Sequence, residues 1–195
     1  MVSKGIKKIL LNHGVGVLPT DTLYGLVGSA LSKKAVARIY KLRRRNPQKP
    51  FIILISSLAD LKLFNIKIDN RTRKQLLRFW PGKISIILAC QSKKFSYLHR
   101  GTKTLAFRLP NKKNLISLIK KVGPLVAPSA NIEGEPPPKT ISQAKKYFGE
   151  KACPERSRRI DFYINAGKLS GPPSTLIQIK NNKILIKRKG AVKLY

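Results

Sequence analysis

The chain has 195 residues, of which 42% are hydrophobic, so it is long and apolar enough to fold around a core of its own. Lys and Arg number 41 against 8 Asp and Glu, which gives a formal net charge of +33. So few carboxylates argue against a paired-carboxylate glycosidase and against a metal held in a carboxylate cage. The charge favours a polyanionic ligand, although a lysine-rich solvated surface would give the same count.

The two cysteines and two histidines are isolated from one another and occupy no metal-ligand spacing. They are Cys90, Cys153, His13 and His99. We expect packing or surface roles for all four, and no tightly bound metal held by protein ligands. Two cysteines without a signal-peptide pattern predict a cytoplasmic protein. The longest apolar runs are strand-sized, so no membrane association is expected.

Hydrophobic periodicity and turn residues predict alternating helices and strands along the chain. The predicted helices span 3–12, 33–44, 57–64, 70–79 and 112–121, and a last one runs from a Thr140 cap to about Phe148. The predicted strands span 15–18, 51–55, 84–89, 104–109, 125–127, 174–180 and 183–188.

The last two strands flank Asn181-Asn182, a two-residue hairpin signal that requires antiparallel pairing. Residues 151–159 lack hydrophobic periodicity and are interpreted as an exposed basic loop. The whole chain, residues 1–195, is therefore expected to form one α/β domain with a mixed sheet.

Four segments carry hydroxyl, amide or cationic side chains at the ends of these elements, where open α/β sheets bind ligands. They are Pro19–Leu26, Arg43–Pro50, Thr104–Arg108 and Ser129–Pro136. Taken singly, each has an ordinary structural explanation, such as a capped strand-to-helix turn or favourable charges at a helix end. Arginine forks also match phosphate oxygens, and Arg108 alternates with apolar residues, which would point it into a cleft.

In order and approximate spacing, these segments together resemble the YrdC family, the threonylcarbamoyl-AMP synthases. The matching stretches are Pro19–Leu26, Arg45–Ile55, Trp80–Gly82, Leu105–Pro110, Pro124–Asn131, Pro173–Thr175 and Ile184–Val192. The resemblance implies a twisted mixed β-sheet with flanking helices and a basic concave cavity. In length, the chain resembles the short, single-domain form of the family.

The resemblance also implies a reaction. L-threonine, bicarbonate or CO2, and ATP would give threonylcarbamoyl-AMP and pyrophosphate, for the N6-threonylcarbamoyladenosine modification of tRNA. Magnesium would arrive on the ATP phosphates, since protein carboxylates are scarce. A separate tRNA threonylcarbamoyl-transferase complex would use the product.

Roles carry over to individual positions that match the family motifs. The catalytic positions would be Arg43, Arg45, Ser129 and Asn131. The ATP-binding positions would be Arg45, Lys49, Thr104, Ser129 and Arg188. The threonine-binding positions would be Thr22, Tyr24, Arg108 and Ser174. Ser129 and Asn131 are expected in an exposed loop beyond a strand.

Two positions depart from the family pattern. Arg43 stands where the family usually has Lys, and Lys189 stands where it usually has Pro. Arg43 would either reach the same phosphate oxygens or point outward.

Two alternatives to the synthase stay open. One is a YciO-like paralogue without synthase activity. Such paralogues also carry Arg at the first of these positions, but they generally lack the Ser129-x-Asn131 kept here. The other is an RNA-binding module of the same fold, because the +33 charge would allow tRNA or double-stranded RNA to bind.

Overall fold

A computed structural model describes residues 4–149, 159–180 and 183–194. The helices are α1 (Lys4–Leu11), α2 (Lys33–Arg43), α3 (Asn70–Leu77), α4 (Ser96–His99), α5 (Lys113–Val122) and α6 (Ile141–Phe148). The strands are β1 (Val15–Pro19), β2 (Tyr24–Ser29), β3 (Ile52–Leu54), β4 (Ile84–Ala89), β5 (Thr104–Arg108), β6 (Leu125–Val126), β7 (Phe162–Tyr163), β8 (Thr175–Lys180) and β9 (Lys183–Arg188). Leu58–Phe64 and Lys93–Phe95 form 3₁₀ helices.

All nine described strands form one sheet in the order β7-β1-β2-β6-β3-β5-β4-β8-β9. The pairs β1–β7, β3–β5 and β4–β8 are parallel, and the other neighbours are antiparallel. The mixed α/β sheet predicted from the sequence is confirmed. No helix among the described residues is long and apolar enough to cross a membrane.

Both faces of the sheet are covered, which follows from the alternation of side chains along a strand. Val15 and Val17 of β1 pack in a cluster that includes apolar residues of α2 and α6. Leu18, on the opposite face of the same strand, packs in a second cluster with apolar residues of α1 and α5. At β1 the sheet is thus held between two helical layers.

β2 is missing from the sequence prediction, which treats the segment around Tyr24 as a turn. Its two glycines, Gly25 and Gly28, weaken the strand signal. The structure explains Gly28, because a Cβ there would lie 3.2 Å from side-chain atoms of Ala35 and Ile39 in α2. The glycine lets α2 lie close against β2, and this contact brings the end of α2 to the functional site.

The remaining differences are smaller. β7 has only two residues and is also absent from the sequence prediction. The predicted helix over 57–64 is a 3₁₀ helix, which ends at Asn65 in a left-handed conformation. The predicted basic loop at 151–159, except Arg159, and the turn residues Asn181-Asn182 lie outside the described residues, although β8 and β9 pair antiparallel as expected.

Candidate active site

A cavity of about 380 Å³ lies over one face of β3, β4 and β5, and it is bordered by the start of β2, the start of β8 and the end of β9. Nine of the residues singled out from the sequence line it. They are Thr22, Tyr24, Arg43, Arg45, Thr104, Arg108, Ser129, Ser174 and Arg188. Lys49 and Asn131 lie outside this lining. The fold therefore brings together segments that are up to 166 positions apart in the sequence.

Main-chain hydrogen bonds attach the Ser129 loop (residues 127–135) to β2. Gly25 forms an antiparallel bridge with Ser129. The Leu26 amide donates to the Pro128 carbonyl at 2.8 Å, and the Ala130 amide donates to the Tyr24 carbonyl at 2.9 Å. These bonds make the loop an extension of the sheet, which fixes the Ser129 hydroxyl at the cavity.

Arg43 is the last residue of α2, and it is buried with 4% of its surface exposed. Its Nε donates to the Asn131 carbonyl at 2.8 Å. Its Nη2 donates to Ser129 Oγ at 3.4 Å and to Asn131 Oδ1 at 3.3 Å. Of the two orientations considered from the sequence, the outward one is excluded. The inward side chain joins the predicted catalytic positions at the end of α2 to those in the Ser129 loop.

The charge of Arg43 persists at neutral pH despite its burial. Desolvation, together with the repulsion of Arg45, lowers the Arg43 pKa to about 10, and Glu133 opposes this shift. That value is about three units above neutrality, so the guanidinium remains protonated. The next residue, Arg44, turns outward in a left-handed conformation with φ of 48°.

Asn131 does not lie in the exposed loop that was expected, because it is buried with 4% exposure. Its Nδ2 donates to the carbonyls of Ile132 at 2.8 Å and Glu135 at 2.7 Å. Its Oδ1 accepts from Arg43. The amide side chain is engaged at both ends in shaping the Ser129 loop, which explains why it lies behind the cavity wall and not on it. Ser129 itself is half-buried.

Arg45 and Lys49 lie in the Arg45 loop (residues 44–50), and both contact Glu133 across the gap to the Ser129 loop. Glu133 Oε1 lies 3.4 Å from Arg45 Nη1 and 3.1 Å from Lys49 Nζ. Glu133 Oε2 accepts from the Asn46 amide at 2.7 Å. This amide, and then Lys49 and Arg45, lower the Glu133 pKa and keep the carboxylate charged. Arg45 also stacks over the Phe51 ring at 5.4 Å.

Arg108 lies at the inner end of the cavity with a side chain only 4% exposed. Alternation along β5 directs it away from the core, as the sequence predicts, while Phe107 packs inside. Its Nη2 lies 3.2 Å from Asp21 Oδ1, and its Nη1 donates to Thr22 Oγ1 at 3.2 Å. Burial lowers the Arg108 pKa, Asp21 opposes that shift, and Arg188 adds to it.

The turn between β1 and β2 carries the residues that meet Arg108. Thr20 Oγ1 donates to the Leu23 carbonyl at 2.7 Å and lies 3.1 Å from Thr22 Oγ1. Lys112 Nζ donates to the carbonyls of Pro19 at 3.2 Å and Thr20 at 3.1 Å. Burial lowers the Lys112 pKa, and Asp21 partly offsets this effect. The turn is thus fixed by its own hydroxyl and by a lysine from the start of α5.

The β8–β9 hairpin supplies another wall of the cavity. Ser174, just before β8, is buried, and its Oγ lies 2.8 Å from Ser85 Oγ of β4. Arg188 Nη2, at the end of β9, donates to the Ser174 carbonyl at 2.8 Å. Thr104, at the start of β5, lines the same cavity at the other end of these strands, with its hydroxyl 3.2 Å from that of Thr102. The predicted ATP and threonine positions therefore meet in one continuous wall.

Tyr24 is one of the lining residues, but its side chain is fully buried and its hydroxyl is engaged elsewhere. It donates to the Gly167 carbonyl at 2.8 Å and accepts from the Ala166 amide at 2.9 Å. The hydroxyl thus holds the 165–167 segment against β2. This arrangement indicates that Tyr24 shapes the cavity and does not present a hydroxyl to a ligand.

The cavity is strongly electropositive, because four arginines line it. They are Arg43, Arg45, Arg108 and Arg188. Among its described lining residues there is no carboxylate. Asp21 and Glu133, which lie beside it, are already paired with these cations. The site is therefore built to take an anion, and its donor set does not fit a divalent cation held by the protein.

Three residues near the site are absent from the sequence prediction of roles: Asp21, Lys112 and Glu133. Asp21 and Glu133 lie in the quoted segments and are two of only eight carboxylates, so a search for counter-ions to the clustered arginines would have selected them. Lys112 carries no such signal. Its contact with the turn before β2 exists only after the sheet has assembled.

Comparisons with known proteins identify the family of the chain. A family model described as "Telomere recombination", which represents the Sua5, YciO and YrdC proteins, matches residues 8–190. The chain belongs to this family.

The chain is similar to proteins named threonylcarbamoyl-AMP synthase. It is 29% identical to that of Thiobacillus denitrificans over 93% of both chains. It is 31% identical to that of Pyrococcus abyssi over 90% of this chain, but it spans only 50% of that relative. The predicted family is confirmed, and these names agree with the predicted synthase activity.

Solved structures give the same result. Sua5 from P. abyssi, complexed with L-threonine, superposes with a TM-score of 0.82 at 29% identity, covering 95% of this chain and 53% of that one. YciO from E. coli superposes with a TM-score of 0.78 at 22% identity, a likeness that shows the shared fold alone. The nearer sequence likeness is thus to the synthase side of the family.

Proposed function

We propose that this chain is an L-threonylcarbamoyladenylate synthase, which forms threonylcarbamoyl-AMP and pyrophosphate from L-threonine, bicarbonate or CO2, and ATP. The observation that carries the proposal is the cavity itself, in which four arginines and several hydroxyls converge without a lining carboxylate among the described residues. Relatives over most of this chain are named for the same activity.

The inner end of the cavity is the proposed threonine subsite. Arg108 supplies a fixed, buried guanidinium for the substrate carboxylate, and Asp21 holds it in place at 3.2 Å. Thr22 and Ser174 supply hydroxyl groups beside it. The related Sua5 of P. abyssi was solved in complex with L-threonine, which supports a subsite for this amino acid.

The outer part of the cavity is the proposed nucleotide subsite. Arg43, Arg45 and Arg188 would neutralise the phosphates, while Thr104 and Ser129 would donate hydrogen bonds. Lys49 stands outside the lining and would act at the rim. Magnesium would be carried on the phosphates, because the protein offers no unpaired carboxylate among the described lining residues.

The reaction then follows from charge and position. The threonine amine adds to CO2 and loses a proton, which gives a carbamate. A carbamate oxygen attacks the α-phosphorus of ATP, and the bond to the bridging oxygen breaks to release pyrophosphate. Both reactants are anions, so the arginines first cancel their repulsion and then stabilise the charge that builds on phosphorus. Positioning, rather than acid–base chemistry, supplies the rate.

The test is pyrophosphate release measured with each substrate omitted in turn. We expect release only when threonine, bicarbonate and ATP are all present. Unchanged ATP turnover without threonine would refute the proposal and favour a YciO-like paralogue. Arg108→Lys keeps the charge but loses the fork, so it should raise the KM for threonine while leaving the KM for ATP nearly unchanged. Arg73→Lys, at an exposed position in α3, is the matched control.

A further inference from the structure

Glu133 is the one acidic side chain that connects the two loops on either side of the proposed phosphate subsite, within the part of the chain that the structure describes. Its main-chain amide donates to the Arg43 carbonyl at 2.8 Å. Its Oε2 accepts from the Asn46 amide at 2.7 Å, at the far side of the gap. The residue is therefore anchored to the end of α2 through its backbone and to the Arg45 loop through one carboxylate oxygen.

The second carboxylate oxygen, Oε1, forms ion pairs with two cations. Lys49 Nζ lies 3.1 Å away and Arg45 Nη1 lies 3.4 Å away. One negative charge facing two positive ones leaves an excess of positive charge. Arg45 lines the cavity, whereas Glu133 and Lys49 do not, so the carboxylate holds Arg45 from outside the cavity and keeps Lys49 beside it at the rim. The excess positive charge therefore lies at the edge of the cavity.

Arg45 and Lys49 need such support, because long cationic side chains lose much conformational freedom when they are fixed. The Lys49 side chain is 59% exposed and has little packing to hold it. A carboxylate anchored to a backbone amide removes part of that freedom before the ligand arrives. Protein kinases use the same principle, in which a glutamate must hold the lysine that contacts the ATP phosphates.

We propose that Glu133 is a positioning residue that sets Arg45 and Lys49 as a pair for the triphosphate of the nucleotide substrate. The proposal deepens the function proposed above and rests on it for the identity of the substrate. Glu133 touches no reacting atom. It acts through the two cations, while the Asn46 amide holds its Oε2 independently of them.

Removing Glu133 has two opposite physical effects, and this makes the proposal testable. Loss of the carboxylate frees the cations to move, which weakens phosphate binding. It also removes a negative charge near a polyanion, which strengthens binding. If Glu133 is a positioning residue, its removal must weaken phosphate binding, because the loss of restraint on the cations outweighs the loss of negative charge. If Glu133 is instead an internal anion that the substrate displaces, its removal must strengthen phosphate binding.

The experiment measures binding of inorganic triphosphate by calorimetry, together with the KM values for ATP and threonine. Glu133→Gln is the main variant, because its amide oxygen still accepts from the Asn46 amide while the charge is lost. We expect it to weaken triphosphate binding and raise the KM for ATP by about tenfold, the size of one lost charge-assisted contact. The KM for threonine should not change.

Glu135→Gln is the matched control, because it removes the same charge from an exposed position in the same loop. It should leave triphosphate binding within about twofold of the wild type. In a chain that already carries Arg45→Ala and Lys49→Ala, Glu133→Gln should produce no further weakening, since nothing is left for it to position.

Three results would overturn the proposal. Tighter triphosphate binding by Glu133→Gln would make Glu133 a competing anion. Equal increases in the KM values for ATP and threonine, together with a lower melting temperature, would show that Glu133 is a structural residue. Equal weakening in the chain that lacks both cations would show that it does not act through them. Triphosphate binding needs no turnover, so a wild type without synthase activity would refute the proposed function while leaving this test intact.

Discussion

Arg43 lies where the sequence departs from its family, and the structure gives it contacts that a lysine could not make in full. Its Nε and Nη2 reach both Ser129 and Asn131, so the planar fork joins the end of α2 to two positions of the Ser129 loop. The residue is also part of the cavity lining. The Arg43 side chain thus holds the Ser129 loop in shape and also faces the proposed phosphate subsite.

Replacing Arg43 should therefore affect turnover strongly. Arg43→Ala should cost roughly 2–4 kcal/mol of transition-state stabilisation, the range seen when one preorganised donor is removed. Arg43→Lys should keep much of the activity, because the charge stays. The measurement is turnover per active site at saturating ATP and threonine. If Arg43→Ala equals the wild type, the residue is a buried structural cation only.

Ser129 and Asn131 should behave differently from each other. Asn131→Ala removes the partner of Arg43 and leaves two carbonyls without their donor, which should lower the free energy of unfolding by about 1–3 kcal/mol. Ser129→Ala, at a half-buried position, should lower turnover with little loss of stability. Denaturant unfolding and pyrophosphate release separate the two effects. Equal stability losses in both variants would contradict this division.

The residues of the site show how far the sequence carries a prediction. Alternation along one strand is a local signal, and it correctly directs Arg108 into the cavity. The partners of that arginine come from a different segment, 86 positions earlier for Thr22, and no local pattern specifies such a contact. Asn131 was expected on the surface because short polar residues usually lie there. Its burial depends on carbonyls of its own loop.

At the scale of elements, prediction succeeds where a periodic pattern or a turn residue is present and fails where tertiary contact decides. β9 follows from its short apolar run, Ile184–Ile186, and the adjacent Asn-Asn signal. β2 was missed because its glycines oppose strand formation locally. They are accommodated because α2 packs closely against β2, as at Gly28. The site needs that contact, since β2 fixes the Ser129 loop.

Gly190 gives a test of the segment after β9. A Cβ on this residue would lie 2.6 Å from the Ser174 carbonyl carbon and would also meet the Pro173 carbonyl oxygen. Gly190→Ala should therefore displace Ser174 and lower activity, with a stability loss of about 1–3 kcal/mol from overpacking. Pyrophosphate release and thermal unfolding would be compared with those of Lys189→Ala, an exposed neighbour. Full activity in Gly190→Ala would show that the cavity wall at Ser174 can shift without loss of function.

At the scale of the whole molecule, the formal charge of +33 should dominate interactions with nucleic acids. We expect tRNA binding that weakens steeply as salt rises and that differs little between tRNA sequences, because counter-ion release depends on phosphates and not on bases. Filter binding between low and high salt measures this. Affinity that is independent of salt, or confined to one tRNA, would contradict the electrostatic explanation. A double-stranded RNA of similar length is the matched comparison.

The position of the cavity within the sheet also has a kinetic consequence. One wall rests on β2 in the interior of the described sheet, whereas the wall with Ser174 and Arg188 belongs to β8 and β9, the last two strands in its order. Edge strands open locally at a lower free energy than interior strands. Amide hydrogens of β9, the edge strand, should exchange with solvent sooner than those of β2. Bound nucleotide should slow exchange mainly at that edge.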